Sequence, residues 1–142
     1  MLRALLPATA IAAALLVLPP SAAQSQNLEP IKERKALLKE MGKATKDPGA
    51  MLKQEVPFDL AAVKAALAAY KANAPKIAKL FPDDARTGGE TEALPAIWEN
   101  KDDFAKRFDK LVADATAAEG KITDEFSFQE EFPKVEIGRA HV

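Results

Sequence analysis

Apolar residues return every three or four positions through four stretches of this chain, the repeat that brings side chains back to one face of an α-helix. In residues 31–41, Ile31, Arg34, Leu38 and Met41 are spaced by 3, 4 and 3, while Lys32, Lys35, Lys39 and Lys43 fall outside that stripe and can stay in water. Pro30 suits a first turn, where no amide proton is needed, and Asp47-Pro48-Gly49 is expected to stop the helix after about Lys46. The clearest pattern comes next: Leu60, Val63, Leu67, Tyr70, Ala74, Ile77 and Phe81 follow one another at 3, 4, 3, 4, 3 and 4. Asp59 stands where an N-cap carboxylate would accept first-turn amides, and Phe58 can pack on Val63 as a hydrophobic staple. Pro75 should kink or split this run, because it lacks the amide proton and crowds the carbonyl four residues back.

A third stripe runs through Phe104, Phe108, Leu111, Ala115, Ala118 and Ile122, with Asn100 as its expected cap and Gly120 loosening its end. A fourth is made by Phe128, Phe132 and Val135; Thr123 is expected to cap it, Asp124 and Glu125 suit the positive end of its dipole, and Pro133 implies a further kink. Four helical segments and no convincing strand predict an all-α fold, an antiparallel up-down-up-down four-helix bundle around one core.

The longest polar stretch, 82–94, reads as a solvated connection. Its Gly88-Gly89 pair is not followed by Lys-Ser or Lys-Thr as in a phosphate loop, and Asp83, Asp84, Glu90 and Glu92 lack calcium-loop spacing. Trp98 is better read as a bulky core residue at the entry to the third helix than as a stacking platform.

Charge and cysteine content narrow the function. The chain of 142 residues suits a single domain. Its 20 basic and 21 acidic residues are interleaved, which argues against nucleic acid as a partner. It has no cysteine, so disulfides, thiolate catalysis and cysteine metal sites are excluded together. No histidine base stands in a plausible site and Ser127 lacks a histidine partner, so an enzyme is not expected. Residues 1–3 are a short basic start, 4–18 are almost wholly apolar, and Ser21-Ala22-Ala23 offers the small residues of a signal-peptidase site. The apolar run closes on Pro19-Pro20 and falls short of the roughly 20 residues needed to span a bilayer. Residues 1–23 are therefore expected to be a cleaved secretory signal and 24–142 the domain.

Five segments, in order, carry a family resemblance: Arg34 to Met41, Val56-Pro57-Phe58-Asp59, Leu80-Phe81-Pro82, Leu94-Pro95-Ala96-Ile97-Trp98 and Phe132-Pro133-Lys134-Val135. From about 31 to 135 the chain resembles the cytochrome c-prime and cytochrome c-556 family. The resemblance implies a periplasmic four-helix bundle carrying heme c, attached through Cys-x-x-Cys-His on the last helix, with that histidine as proximal iron ligand. It places Arg34 close to the haem and Leu38 where c-556 members present a methionine ligand; Met41 matches a packing position. Leucine cannot coordinate, so the implied type is c-prime, with five-coordinate iron under an apolar lid and a role in electron transfer or small-gas binding. The implied partners are haem, a redox protein or a small gas, and a second copy of the chain.

The last residues depart from the family. Glu136-Ile137-Gly138-Arg139-Ala140-His141-Val142 stands where the family would lead into its attachment motif. The codons GAG ATC GGA AGA GCA CAC GTC would encode this string and resemble a common sequencing-library adapter, so 136–142 is expected to be a non-native tail. His141 is the only histidine, one residue from the end of the chain where helices fray. A Met41–His141 ligand pair is conceivable, but a solvated tail histidine is the plainer reading. The competing account of the whole chain is a haemless bundle acting as a binding or interaction module.

Overall fold

The computed structural model describes residues 27–140, so the expected signal segment and His141 lie outside the described residues. The elements run α1 (Glu29–Ala44), α2 (Lys46–Leu52), α3 (Leu60–Ile77), a 3-10 turn (Asp83–Ala85), α4 (Ala96–Glu99), α5 (Lys101–Lys121) and α6 (Glu125–Ala140). The four long helices are the predicted bundle: α3 packs against α1 and α5, and α5 against α6. The apolar stripes meet as read, with Leu67, Tyr70, Leu111, Ile122, Phe128 and Phe132 all withdrawn from water. Burial of each large apolar side chain stabilises the fold by about 1.5–3 kcal/mol. Without disulfides, this packing is what holds the bundle.

Several local expectations are corrected. Asp47-Pro48-Gly49 does not stop a helix; it lies inside α2. The chain turns at Thr45 instead, whose hydroxyl donates to the Met41 carbonyl at 3.0 Å, and Pro48 falls in the first turn of α2, where a missing amide proton costs nothing. Pro75 does not split α3, which continues to Ile77. It stands so near the C-terminus that the helix is already ending. Pro133 likewise lies within a continuous α6.

The caps sort unequally. Asp59 accepts from the Ala61 and Ala62 amides at 2.8 and 3.3 Å as expected. Asn100 occupies the cap position of α5 but makes no side-chain cap bond. Its backbone N–H closes α4 by donating to the Ala96 carbonyl and its own carbonyl accepts the Phe104 amide, so α5 follows without a loop. Asp124, rather than Thr123, caps α6: its carboxylate accepts the Ser127 amide at 2.8 Å, while Ser127 Oγ accepts the Thr123 and Asp124 amides at 3.0 and 3.1 Å. The Ser127 amide first and its hydroxyl second hold the Asp124 carboxyl below its ordinary range. Deeper in the bundle, the Tyr70 hydroxyl donates to Glu136, which also accepts from Arg139 at 2.9 and 3.1 Å.

Candidate cofactor site

The amphipathic pattern of α1 carries Arg34 inward with Ile31 and Met41, leaving it 3% exposed. A buried guanidinium needs acceptors, and the connection after α3 supplies them. Arg34 Nη1 donates to the Leu80 carbonyl at 3.0 Å and both terminal nitrogens reach the Ala85 carbonyl at 3.4 Å. Nη2 donates to Thr91 Oγ1 at 2.5 Å. The cation also lies 4.6 Å from the Phe81 ring centroid. All these partners are neutral, and no carboxylate pairs with Arg34 among the described residues. Burial lowers its pKa from the ordinary value, yet a guanidinium stays charged in a protein.

The polar connection is therefore folded onto α1 and is not simply solvated. Ala85 is fully buried. Gly88, Gly89 and Glu90 take successive left-handed conformations, with φ of 89°, 55° and 54°. This turns the chain back so that Lys35 Nζ donates to the Gly89 carbonyl at 3.3 Å. The turn brings Gly89 so close that a Cβ there would stand 3.1 Å from Ile31 Cγ2. Thr91 Oγ1 also accepts the Ala93 amide at 3.2 Å, fixing the hydroxyl that faces Arg34.

Between α1, this connection and the start of α5 lies a cavity of about 820 Å³ whose apolar lining includes Leu38, Phe81, Leu94, Ile97 and Phe104. That volume suits a small-molecule site, for which about 300–1,000 Å³ is usual. A smaller hollow of about 150 Å³ adjoins it, bounded by Leu38, Met41, Ile77, Phe81, Phe108 and Arg139. Leu38 and Phe81 are common to both. The rings of Phe81, Phe104 and Phe108 form an edge-to-face row, at centroid separations of 4.7 and 5.1 Å, that stiffens this wall. Trp98 buttresses it from behind, edge-on to Phe81 at 5.8 Å, with Nε1 donating to the Pro82 carbonyl at 3.0 Å.

The three residues singled out in the sequence thus converge on one region. Arg34 and Leu38 line the larger cavity, and Met41, 3% exposed, borders the smaller hollow while packing in the core. Leu38 is not buried with its stripe; it is 48% exposed, at the wall the two hollows share. Thr91 and Gly89 were missed, since neither belongs to a periodic stripe. Phe81 and Ile97 stood in the quoted segments without a role, and those segments mark the cavity wall.

A planar apolar cofactor with acidic side groups fits these residues: aromatic and aliphatic walls, with a buried cation lacking an anionic partner. The covalent anchor does not fit, because the chain contains no cysteine from which a thioether could form. Among the described residues no cluster of metal-ligating side chains occurs, and no helix is long and apolar enough to cross a membrane.

Residues 29–137 match the family model described as Cytochrome C′. The chain is 54% identical over 99 residues to a cytochrome c′ of Rhodopseudomonas palustris, spanning 70% of this chain and 68% of the relative. A cytochrome c-556 of Agrobacterium fabrum is 44% identical over 89 residues, spanning 61% of this chain and 58% of that relative, less than two thirds of its length. Among solved structures, cytochrome c′ from Rhodopseudomonas palustris superposes with a TM-score of 0.78 at 47% identity, over 81% of this chain and 92% of the other.

Proposed function

We propose, from the premise that this chain belongs to the cytochrome c′ family, that its cavity is a haem site of the kind that leaves one face of the iron free for a small gas. The observation that carries this reading is Leu38: it lines the cavity beside Arg34 and offers no lone pair. When bound, haem supplies a one-electron couple and a gas-binding metal. The chain's own residues supply the surroundings. With a macrocycle covering them, Leu38, Phe81 and Phe104 would exclude water and lower the local dielectric, which favours a neutral diatomic ligand over a charged one. Arg34 presents a fixed positive charge to the carboxylates of the macrocycle, and Thr91 holds one of its nitrogens in place. A non-coordinating leucine favours gas binding over simple electron shuttling, although electron exchange with a redox protein belongs to the same reading. The role is not enzymatic.

The remaining parts of the proposal concern the ends of the chain. Residues 1–23 would direct export to the periplasm and be removed. Residues 24–142 would hold the domain, with 136–142 a foreign tail in place of the segment bearing Cys-x-x-Cys-His. Pairing into a homodimer is part of the same expectation. The test is expression of the chain with a Cys-x-x-Cys-His end restored, in a host that matures c-type cytochromes. Covalent haem with a five-coordinate spectrum is expected. Failure to retain haem would favour a haemless binding module, the reading that the absence of cysteine supports. Unbroken genomic DNA with a native stop after codon 142 would refute the foreign tail.

A further inference from the structure

We infer that the chain as it stands takes up a porphyrin reversibly, recognising the macrocycle and its carboxylates and not the metal. An iron-free porphyrin should then occupy the Arg34–Phe81–Phe104 cavity as well as an iron porphyrin does. The inference rests on the reading of this cavity as a tetrapyrrole site, and it adds what that site selects when no tether exists.

Two observations carry it. The described lining of the larger cavity contains no imidazole, thiolate or thioether. Met41 borders only the smaller hollow, one helical turn beyond Leu38, and the single histidine is at position 141. Soft or nitrogen ligands are what hold a haem iron, so the lining gives the metal little to bind. What it does offer is apolar surface, including Leu94 at 68% exposure and Leu38 at 48%, and one buried cation with no carboxylate partner, Arg34; the lining acids Glu90, Glu92 and Asp103 lie nearer solvent, the first and last already facing Lys35 and Arg107. The other lining cations already have carboxylates: Lys35 is 3.8 Å from Glu90 and Arg107 is 3.0 Å from Asp103. Arg34 has carbonyls, a hydroxyl and a ring. A buried cation among neutral dipoles retains much of its desolvation cost, and a ligand carboxylate forms the strong charge-assisted bond that relieves it.

The test titrates the full chain with protoporphyrin IX, with haemin and with protoporphyrin dimethyl ester. Trp98 is the only tryptophan and stands edge-on to the cavity residue Phe81. Energy transfer to a bound porphyrin will quench it whatever the metal. Saturable one-to-one quenching is expected, with dissociation constants for the iron and iron-free forms within about threefold of each other. The ester should bind about tenfold more weakly or worse, the loss of one hydrogen bond to a charged group. Arg34→Met should erase the preference for acid over ester; if that variant does not fold, the comparison on the unaltered chain still decides.

Haemin binding more than about tenfold tighter than the iron-free form, with the advantage lost in His141→Ala or Met41→Leu, would overturn the inference. So would the absence of saturable quenching. Covalent haem on the tether-restored chain together with no uptake by the unaltered chain would sink this inference and leave the cytochrome reading standing. Porphyrin uptake without successful maturation would do the reverse.

Discussion

Replacing Gly89 by alanine should destabilise the fold by about 1–2 kcal/mol, through the seat of the connection on α1. Two effects add. The backbone there has φ of +55°, a conformation costing an L-residue roughly 1 kcal/mol or more. The new Cβ would also stand 3.1 Å from Ile31 Cγ2 and 3.6 Å from Leu28 Cδ2. Leu28 is exposed and can rotate away, whereas Ile31 is fully buried and must shift with its surroundings. Gly120 gives the opposite sign. It lies within α5, nothing stands within 4 Å of its added Cβ, and alanine should stabilise by up to about 1 kcal/mol. Urea unfolding followed by far-ultraviolet circular dichroism measures both, and each kcal/mol should move Tm by about 3–6 °C at this chain length. Gly89→Asn separates the two effects, because asparagine tolerates the left-handed region but brings the same Cβ, so its loss should be smaller than that of alanine. A Gly89→Ala protein as stable as the parent, or an asparagine variant worse than alanine, would refute the reasoning.

Other outcomes follow from the caps and the titrating groups. Asp59→Ala should cost about 1 kcal/mol because its carboxylate bonds two amides, whereas Asn100→Ala should stay within about 0.5 kcal/mol because its side chain makes no cap bond; denaturant midpoints distinguish them. Burial first, then the hydrogen bond to Glu136, raises the Tyr70 pKa above its ordinary 10.0. The folded chain thus keeps a proton that the unfolded chain releases, and this contribution is lost as pH rises above about 10; Tyr70→Phe should flatten that alkaline limb in Tm measurements. Asp83, Asp124 and Glu131 have folded pKa values lowered, the first mainly by Arg86, the second by the Ser127 amide and the third by Lys134. Their stabilisation is present above the ordinary values of 3.8 and 4.5 and fades as pH falls through the lowered ones. Asp124→Asn should make the acid limb shallower, and an unchanged limb would count against the Ser127 cap.

The long helices could be read from the sequence because each buries one periodic stripe, and a stripe is a local property. Ile31, Leu67, Leu111 and Phe132 all fall on the predicted inward faces, and all are buried. Helix ends were less transparent. Asn100 has the right side chain for a cap but makes no cap bond with it; its backbone N–H closes α4 while its carbonyl opens α5, a double use set by how closely two helices abut. Pro48 looked like a terminator because proline both ends and begins helices, and only the turn at Thr45 decides which. For the cavity, periodicity put Arg34 on the inward face of α1 but gave it no partner. Leu80, Ala85 and Thr91 contribute two carbonyls and a hydroxyl, groups that occur throughout any chain and mark nothing until they are folded together. The short segments around Phe81 and Ile97 carry the family resemblance but were given no place in the site, whereas Thr91 had no signal of either kind.

One guanidinium on the first helix joins positions 80, 85 and 91, far along the chain. Detaching α1 must therefore release the whole segment at once, so amide hydrogen exchange through 80–91 should follow that of the first helix and outlast fraying at its own exposed turns. Ribosomal synthesis imposes the same dependence in time: Arg34 emerges first and waits for its acceptors, so this side of the molecule takes shape late.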